Sequence, residues 1–472
     1  MRKITKDLSP SAKIGFGEHL GYLLGSSVNI NQNLFGTFLL IYYTVVVGVD
    51  VGLAASVIAI SKILDGISDL FMGYVVDHTK SRFGKARPWL LRMTLPMIVC
   101  ALMAFYVPES WSTTGKLVYM FVSYNLANTV CYTAISVAYH ALNGFMTINQ
   151  KSRSINGGLY MLGTNALSVI LVHGFFLKLS GAIGGGDIYT QKGFTGAVVV
   201  YMVIFAIATG LCALLTKERV VEMKHEEFSG EKKTTTSTAQ ALKSLLTNKY
   251  WILVVIVSIL VCFLSGASGS ATVYYTQYVL DNVSLQSSLS SIYAISMVPA
   301  LILGTALLPK FGKRIIMIIG MAISAVMYFI PIVSINPLAL IASSVGKGIG
   351  FGIAGAGMGS LVQDAITYGM WKKGINAIGM GNAAQTFAQK IGTALGTAVL
   401  GALMSLGGFE ASFGIAQPTS AIAAINAVFI YIPAVVCVLV IVCMFFYDLD
   451  KKYADIEADL KEGKFAPGVM TE

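Results

Sequence analysis

The sequence predicts an all-α membrane protein with twelve transmembrane helices arranged in two pseudo-symmetric six-helix bundles. Three observations support this fold class. Of the 472 residues, 55% are hydrophobic and only 12% are charged, whereas soluble proteins carry roughly 25% charged residues. The apolar residues form twelve segments long enough to span a bilayer, which requires about 20 helical residues. A polar interval divides these segments six and six.

The twelve apolar segments are the predicted spans. The intervening chain lacks the alternating ten-residue pattern that is typical of membrane β-barrels. The polar N-terminus, followed by a long first apolar segment, argues against a cleavable signal peptide. The spans lie near residues 20–47, 51–76, 88–107, 116–146, 156–181, 195–216, 250–280, 287–309, 314–333, 338–368, 378–407 and 422–448.

The distribution of lysine and arginine predicts the orientation of the chain. If the N-terminus is cytoplasmic, 27 of the 33 basic residues fall on the cytoplasmic side and 3 on the outer side. Such an excess marks cytoplasmic loops. We therefore expect both termini in the cytoplasm, in a cell membrane. The net charge of +10 then reflects membrane topology, and no nucleic-acid partner is expected.

The chain is predicted to contain two halves joined by a linker. Residues 1–216 form the N-terminal bundle, 217–249 a cytoplasmic linker, 250–448 the C-terminal bundle and 449–472 a cytoplasmic tail. Arg-Phe-Gly-Lys at 82–85 and Lys-Phe-Gly-Lys-Arg at 310–314 occupy matching loops of the two halves. This repetition favours a duplicated six-span unit, as in many secondary transporters.

Other patterns exclude common enzyme sites. The glycine-rich run at 345–360 lies inside a span, so close helix packing is favoured over a phosphate-binding loop. The six cysteines are single and apolar in context, which indicates packing residues and no metal or disulfide framework. The five histidines are dispersed, and no catalytic set emerges. The protein is therefore predicted not to be an enzyme and to need no cofactor beyond a coupling ion.

Charged residues inside spans are costly, roughly 2.5–3.5 kcal/mol each on insertion scales, and are commonly functional. Asp65 and Asp69 are four residues apart on one helical face, with Lys62 on the same face. Two adjacent carboxylates repel unless a cation bridges them or one is protonated. The alternative is a structural ion pair with Lys62. The remaining in-span charges are Lys347, Asp364 and Lys390.

Uncharged polar residues are concentrated in the first and fourth predicted spans. Amides, hydroxyls and aromatic rings suit a sugar, although single polar residues in spans often bind helices together. Lys390 lies deep in the eleventh span and needs an anionic partner, either the aspartate pair or a carboxylate on the substrate. The sugar-binding candidates are Asn29, Asn33, Tyr132, Ser136, His140 and Lys390.

These motifs resemble the glycoside–pentoside–hexuronide:cation symporter family of the major facilitator superfamily. The most specific match is Lys-x2-Asp-x3-Asp-x3-Gly-x3-Asp from Lys62, followed by Ser-Arg-Phe-Gly-Lys-Ala-Arg-Pro-Trp-Leu-Leu. The eleventh-span Phe-x-x-Lys-x-Gly element is present from Phe387 to Gly392, and Asp364 remains near an altered Asp-Tyr-Gly sequence. The resemblance extends from the first span to at least Gly396.

The resemblance implies roles for individual residues. In the melibiose carriers of this family, the matching positions assign the cation site to Asp65, Ser68, Asp69 and Thr133. Ser68 replaces an asparagine of those carriers. Ser136, His140 and Met161 replace their sugar-binding residues, which argues against a galactoside. Asn29 and several loop motifs are more similar to glucuronide carriers. In a carrier of that kind, Lys390 would bind the carboxylate of a hexuronide. Lys62 and Asp364 are expected to be structural charges.

The sequence therefore predicts a secondary active transporter that couples H⁺ or Na⁺ to symport of a glycoside or hexuronide such as a glucuronide. The bundles would alternate in exposing a sugar site to each side of the membrane. Partners would be the sugar, a monovalent cation and membrane lipid, with the chain functional as a monomer. Alternatives are a major-facilitator exporter of an amphipathic drug or lipid, and a membrane sugar sensor that does not transport.

Overall fold

A computed structural model describes residues 14–77, 79, 81, 83–147, 150–219, 238–375 and 378–461. The described regular structure is helical, and helices occupy all twelve predicted spans. Helices are the expected solution because each one satisfies its own backbone hydrogen bonds where no water is available.

The first six spans precede the linker. The second, third and sixth spans are single helices, Val51–Asp77, Arg87–Ala104 and Gln191–Leu215. The first span consists of Phe16–Gly25, Val28–Asn33, Leu34–Phe38, Leu39–Ile41 and Tyr42–Val46. The fourth consists of Thr113–Asn125, Leu126–Tyr132 and Thr133–Met146, and the fifth of Gln150–Leu162, Gly163–Leu167 and Ser168–Ile183.

The last six spans follow a short helix, Thr238–Leu246. The eighth and ninth spans are the two parts of Ser284–Val333, which breaks at Gly312. The others are Lys249–Tyr274 and Tyr275–Val279 for the seventh, Pro337–Lys373 for the tenth, Ile378–Leu406 for the eleventh, and Thr419–Asn426, Ala427–Tyr431 and Ile432–Phe445 for the twelfth; short helices Ala411–Phe413, Leu449–Lys451 and Tyr453–Lys461 complete the described chain.

Helix length and hydropathy together separate the spans into two groups. In the described residues, 8 helical ranges are long and apolar enough to cross a membrane, and one of these, Ser284–Val333, contains two predicted spans. The first, fourth and fifth spans are not among them. The fifth contributes Ser168–Ile183, an apolar helix that is shorter than 18 residues. The first and fourth spans carry the uncharged polar residues from which the sequence predicts a sugar site.

The chain divides into two compact units. Among the described residues, unit 1 contains 14–49 and 64–219, and unit 2 contains 50–63 and 238–461. The second span therefore contributes its first turns to unit 2. There, Lys62 Nζ donates to Thr397 Oγ1 of the eleventh span at 2.9 Å. A Cβ at Gly401 would lie 2.0 Å from Ala55 Cβ, which shows how closely these two helices pack.

In unit 1, Glu218 fixes the loop between the second and third spans. Its carboxylate accepts hydrogen bonds from the backbone N–H groups of Lys85 at 2.7 Å, Ala86 at 3.1 Å and Arg87 at 2.8 Å. Arg87 Nε donates to the Ala213 carbonyl at 2.7 Å, near the end of the sixth span. Because the first N–H groups of a helix have no partner within it, this carboxylate caps the third span.

Unit 2 contains the same arrangement between its matching spans. Asp450, which follows the twelfth span, accepts a hydrogen bond from the Arg314 backbone N–H at 2.8 Å. The Arg314 guanidinium donates to the Phe445 carbonyl at 2.9 Å. In each unit, an acid after the last span therefore holds the loop that carries the repeated Phe-Gly-Lys motif, which supports a duplicated six-span unit.

The glycine of each repeated motif is required by backbone geometry and by space. Gly84 has φ +105° and Gly312 has φ +75°, backbone angles that residues other than glycine rarely adopt. A Cβ would lie 2.4 Å from the Glu218 carboxyl carbon at Gly84, and 2.9 Å from Asp450 Oδ2 at Gly312. Each capping carboxylate can therefore occupy its position only because the residue beside it is glycine.

The glycine-rich run in the tenth span packs against neighbouring helices, as the sequence predicts. A Cβ at Gly348 would lie 2.4 Å from the Tyr293 carbonyl oxygen, and one at Gly352 would lie 2.4 Å from the Met297 carbonyl oxygen. Gly350 is similarly close to the ninth span. Small residues thus bring three helix backbones of unit 2 together.

Candidate functional site

The predicted cation-binding residues lie on the second and fourth spans of unit 1. Asp65 is 9% exposed, and Thr133 Oγ1 donates a hydrogen bond of 2.7 Å to Asp65 Oδ1. Asp69 is one helical turn further along the second span and is partly exposed. The structure therefore joins a buried carboxylate of the second span directly to a hydroxyl of the fourth.

Ser68 makes a second connection between these spans. Its hydroxyl donates to the backbone carbonyl of Thr129. The Thr129 hydroxyl in turn donates to Asn125 Oδ1 at 3.0 Å. Because the Ser68 proton is used in this bond, its oxygen retains lone pairs for a cation but offers no further proton. Asp65, Ser68 and Thr133 thus belong to one contact between two helices, and Asp69 lies one turn from Asp65 on the second span.

A π-helical turn, Leu126–Tyr132, lies in the fourth span at this contact. The backbone N–H of Thr133 bonds to the Asn128 carbonyl, five residues earlier. It is one of six π-helical turns in the described helices, so the contact with the second span, and not the turn by itself, marks this place. Sequence reasoning missed this feature, and the only signal was the density of polar residues around it.

Two of the predicted sugar-binding residues, Asn29 and Asn33, lie on the first span. Asn29 Nδ2 donates to the Thr164 hydroxyl of the fifth span at 3.0 Å and to the Ser26 carbonyl at 3.0 Å. Asn33 Nδ2 donates to the Asn29 carbonyl at 2.9 Å. The first and fifth spans are therefore connected through Asn29, and Thr164 is a polar neighbour that sequence reasoning did not identify.

The fourth-span candidates also have polar neighbours. The Tyr132 hydroxyl donates to Gln32 Oε1 of the first span at 3.1 Å. His140 Nδ1 lies 2.7 Å from the Ser136 carbonyl, and Nε2 lies 3.0 Å from the Tyr160 hydroxyl. A carbonyl can only accept, so Nδ1 carries the hydrogen and, in the neutral ring, Nε2 accepts from Tyr160.

The structure thus places Asn29, Asn33, Tyr132, Ser136 and His140 on helices that contact one another within unit 1. Gln32, Tyr160 and Thr164 are additional polar residues of this group. Gln32 and His140 are exposed on unit 1, and Tyr160 is partly exposed. Such a surface offers amide, hydroxyl and imidazole groups of both donor and acceptor type, as sugar hydroxyls require.

The other predicted charges belong to unit 2. Lys390 is partly buried in the eleventh span. Asp364 forms an ion pair with Lys313, the lysine of the repeated loop motif, while Lys62 donates to Thr397. The roles of Lys62 and Asp364 as structural charges, and of Lys390 in sugar binding, stay predictions.

A family model described as "MFS/sugar transport protein" matches residues 21–451. The chain is similar to the isoprimeverose transporter of Lactiplantibacillus pentosus, with 26% identity over 457 residues, 95% of this chain and 92% of that relative. It is also similar to two proteins of Escherichia coli (strain K12). The inner membrane symporter YicJ shares 27% identity, with 89% of this chain and 88% of the relative covered. The glucuronide carrier protein homolog shares 26%, with 94% and 95% covered.

Among solved structures, the crystal structure of a D-xylose–proton symporter superposes with a TM-score of 0.63 and 14% identity, over 93% of this chain and 99% of that one. At this identity, the likeness concerns the fold. The comparisons confirm the predicted resemblance and the twelve-helix major facilitator fold.

Proposed function

The chain belongs to the MFS/sugar transport protein family, whose model covers residues 21–451, and we propose that it couples a cation to symport of a glycoside or hexuronide. Relatives named as an isoprimeverose transporter, an inner membrane symporter and a glucuronide carrier homolog support this substrate class and mode of transport. Transport of this kind requires binding residues and a coupling ion, so the proposal assigns neither enzyme activity nor a cofactor.

The observation that carries the proposal is the Asp65–Thr133 hydrogen bond of 2.7 Å, with Asp69 one turn away. A buried carboxylate beside a second carboxylate is unfavourable when both are charged. Binding of H⁺ or Na⁺ lowers this repulsion. The ion would therefore stabilise one arrangement of the second and fourth spans, and the fourth span also carries Tyr132, Ser136 and His140, which we propose contact the sugar.

This placement gives a physical link between ion and sugar. Thr133 binds Asp65 and directly follows Tyr132, while Ser136 lies one turn later on the same helix. A change at Asp65 can thus reach three sugar-binding candidates through one helix. Asn29 and Asn33 would contribute amide groups from the first span, and Lys390 would contribute a positive charge for a hexuronide carboxylate.

The proposed setting is the cell membrane, with both termini in the cytoplasm, as the 27 to 3 distribution of basic residues favours. We propose that the monomer is the functional state, since all candidate residues come from one chain. Its partners would then be the sugar, the monovalent cation and the surrounding lipid.

Transport by purified protein in proteoliposomes tests the proposal. We expect accumulation of a labelled glycoside or glucuronide under an inward gradient of Na⁺, Li⁺ or H⁺, each imposed separately. Asp65→Asn and Asp69→Asn should abolish accumulation while the protein remains folded, because neither variant needs a cation to neutralise the pair.

Asp50→Asn is a matched control, since Asp50 immediately precedes the same helix and its Oδ1 accepts from the Leu53 N–H at 2.9 Å, which asparagine can also do. It should transport normally. Normal accumulation by both Asp65 and Asp69 variants would contradict the cation site and favour a structural ion pair. Efflux of amphipathic compounds without sugar uptake would favour an exporter, and sugar binding without transport would favour a sensor.

A further inference from the structure

Lys347 is a buried lysine inside unit 2 to which the proposed transport mechanism gives no role. It is 7% exposed. It lies ten residues after Pro337, the first residue of the tenth span, and thus about 15 Å along the helix axis. The apolar core of a bilayer is about 30 Å thick. Lys347 is therefore near mid-depth, where a charge is most costly.

Two aromatic rings surround its amino group. Nζ lies 4.9 Å from the centroid of Tyr328 on the ninth span and 4.9 Å from the centroid of Phe429 on the twelfth. Phe429 stacks on Tyr275 of the seventh span, with centroids 4.0 Å apart. The negative faces of these rings attract an ammonium group. They do not replace the hydrogen-bond acceptors that its three N–H groups would have in water.

No described residue supplies that acceptor. Within residues 14–77, 83–147, 150–219, 238–375 and 378–461, Lys347 forms neither an ion pair nor a hydrogen bond. The acidic residues of unit 2 that are paired lie elsewhere, such as Asp364 with Lys313. A protonated Lys347 therefore has attraction from two rings but no counter-charge.

Two buried hydroxyl groups belong to helices that pack around this lysine. Ser324 Oγ is buried and has no hydrogen-bond partner among the described residues. Ser268 Oγ is also buried, and its polar neighbour is the hydroxyl of Tyr328, whose ring lies against Lys347. Ser324 is one turn before Tyr328, and a Cβ at Gly350, one turn after Lys347, would lie 2.2 Å from Ser324 Oγ. Ser268 is two turns before Tyr275 on the seventh span, on the same helical face.

We propose that Lys347, Ser324 and Ser268 form a binding site for a small monovalent anion, with chloride as the simplest occupant. The ammonium and the two hydroxyls would donate hydrogen bonds to the anion, and the anion would supply the missing negative charge. Buried polar groups without partners are rare in native proteins and commonly indicate a bound water or ion. The charge of Lys347 favours the anion.

Thermal unfolding of the purified protein in detergent tests this site. Sodium chloride is compared with sodium gluconate at equal ionic strength, after long equilibration, so that only anion size and identity differ. We expect chloride to raise the melting temperature by roughly 1–3 °C at a concentration ten times its Kd. Formate should act like chloride, and glucuronate should act like gluconate.

Variants separate the site from general salt effects. Lys347→Met and Ser324→Ala should lose the chloride-dependent shift, whereas Lys310→Met, which removes an exposed lysine, should retain it. Should Lys347→Met fail to fold, Ser324→Ala alone still tests the site. Equal melting temperatures in the two anions, or an unchanged chloride shift in Ser324→Ala, would overturn the proposal. Neither result would affect the transport proposal, because Lys347 and the aspartate pair are tested by different readouts.

Discussion

At the scale of single residues, the cation site depends on which groups donate to Asp65. Thr133 is one such donor, at 2.7 Å. The aspartate pair could be predicted from the sequence because charges in spans are few and the spacing of four residues fixes a shared face. The link to Thr133 came only from family resemblance. Gln32, Tyr160 and Thr164 were missed because isolated polar residues in spans usually bind helices together.

Thr133→Val removes the hydroxyl with little change of shape, and the direction of its effect identifies the ion. A hydrogen bond to a charged group is worth about 1.5–3 kcal/mol. If Na⁺ is coupled, loss of this oxygen should raise the Na⁺ concentration for half-maximal transport about 10- to 100-fold. If H⁺ is coupled, loss of a donor to the carboxylate should favour proton binding, and the pH profile of transport should move about 1–2 units upward.

Thr133→Ser restores the hydroxyl and serves as the control for both outcomes. It should transport with nearly the wild-type ion dependence. Initial rates of uptake at varied Na⁺ and at varied pH measure the two cases separately. An unchanged ion dependence in Thr133→Val would contradict the role of Asp65 as the coupling carboxylate.

At the scale of elements, the positions of the helices could be predicted from the sequence, but their π turns and the contacts between them could not. A run of about 20 apolar residues has few alternatives to a helix in lipid, because its backbone must satisfy its own hydrogen bonds. The π turns could not be predicted, since a shift from four- to five-residue bonding depends on packing between helices. The ring pair around Lys347 was equally hidden, because Tyr328 and Phe429 belong to different spans.

The repeated loop gives an element-scale prediction. Gly84→Ala would force a side chain into φ +105° and place its Cβ 2.4 Å from the Glu218 carboxyl carbon. A left-handed conformation alone costs a residue with a side chain roughly 1–2 kcal/mol. We therefore expect the melting temperature to fall by roughly 1–4 °C. Thermal unfolding in detergent measures the change.

Gly210→Ala is the matched control, since Gly210 lies in the sixth span of the same unit and a Cβ there meets nothing within 4 Å. This variant should be as stable as the wild type or slightly more stable, because alanine favours helix. An equal loss of stability in both variants would show that Glu218 does not constrain the loop.

At the scale of the whole molecule, the cation candidates all belong to unit 1, whereas Lys390 belongs to unit 2. Lys390→Gln therefore tests whether a residue of the second unit binds the negatively charged group of the sugar. If Lys390 binds a carboxylate of the substrate, the variant should lose about 1.5–3 kcal/mol of affinity for a glucuronide, or about 10- to 100-fold. A glucoside of the same shape should bind almost as it does to the wild type, and Lys390→Arg should retain much of the glucuronide affinity because it keeps the charge.

Competition of the matched pair against a labelled substrate in counterflow measures both affinities. Equal losses for the two sugars would contradict the hexuronide assignment while leaving glycoside transport intact, and a changed ion dependence with both sugars would show instead that Lys390 acts on the cation step.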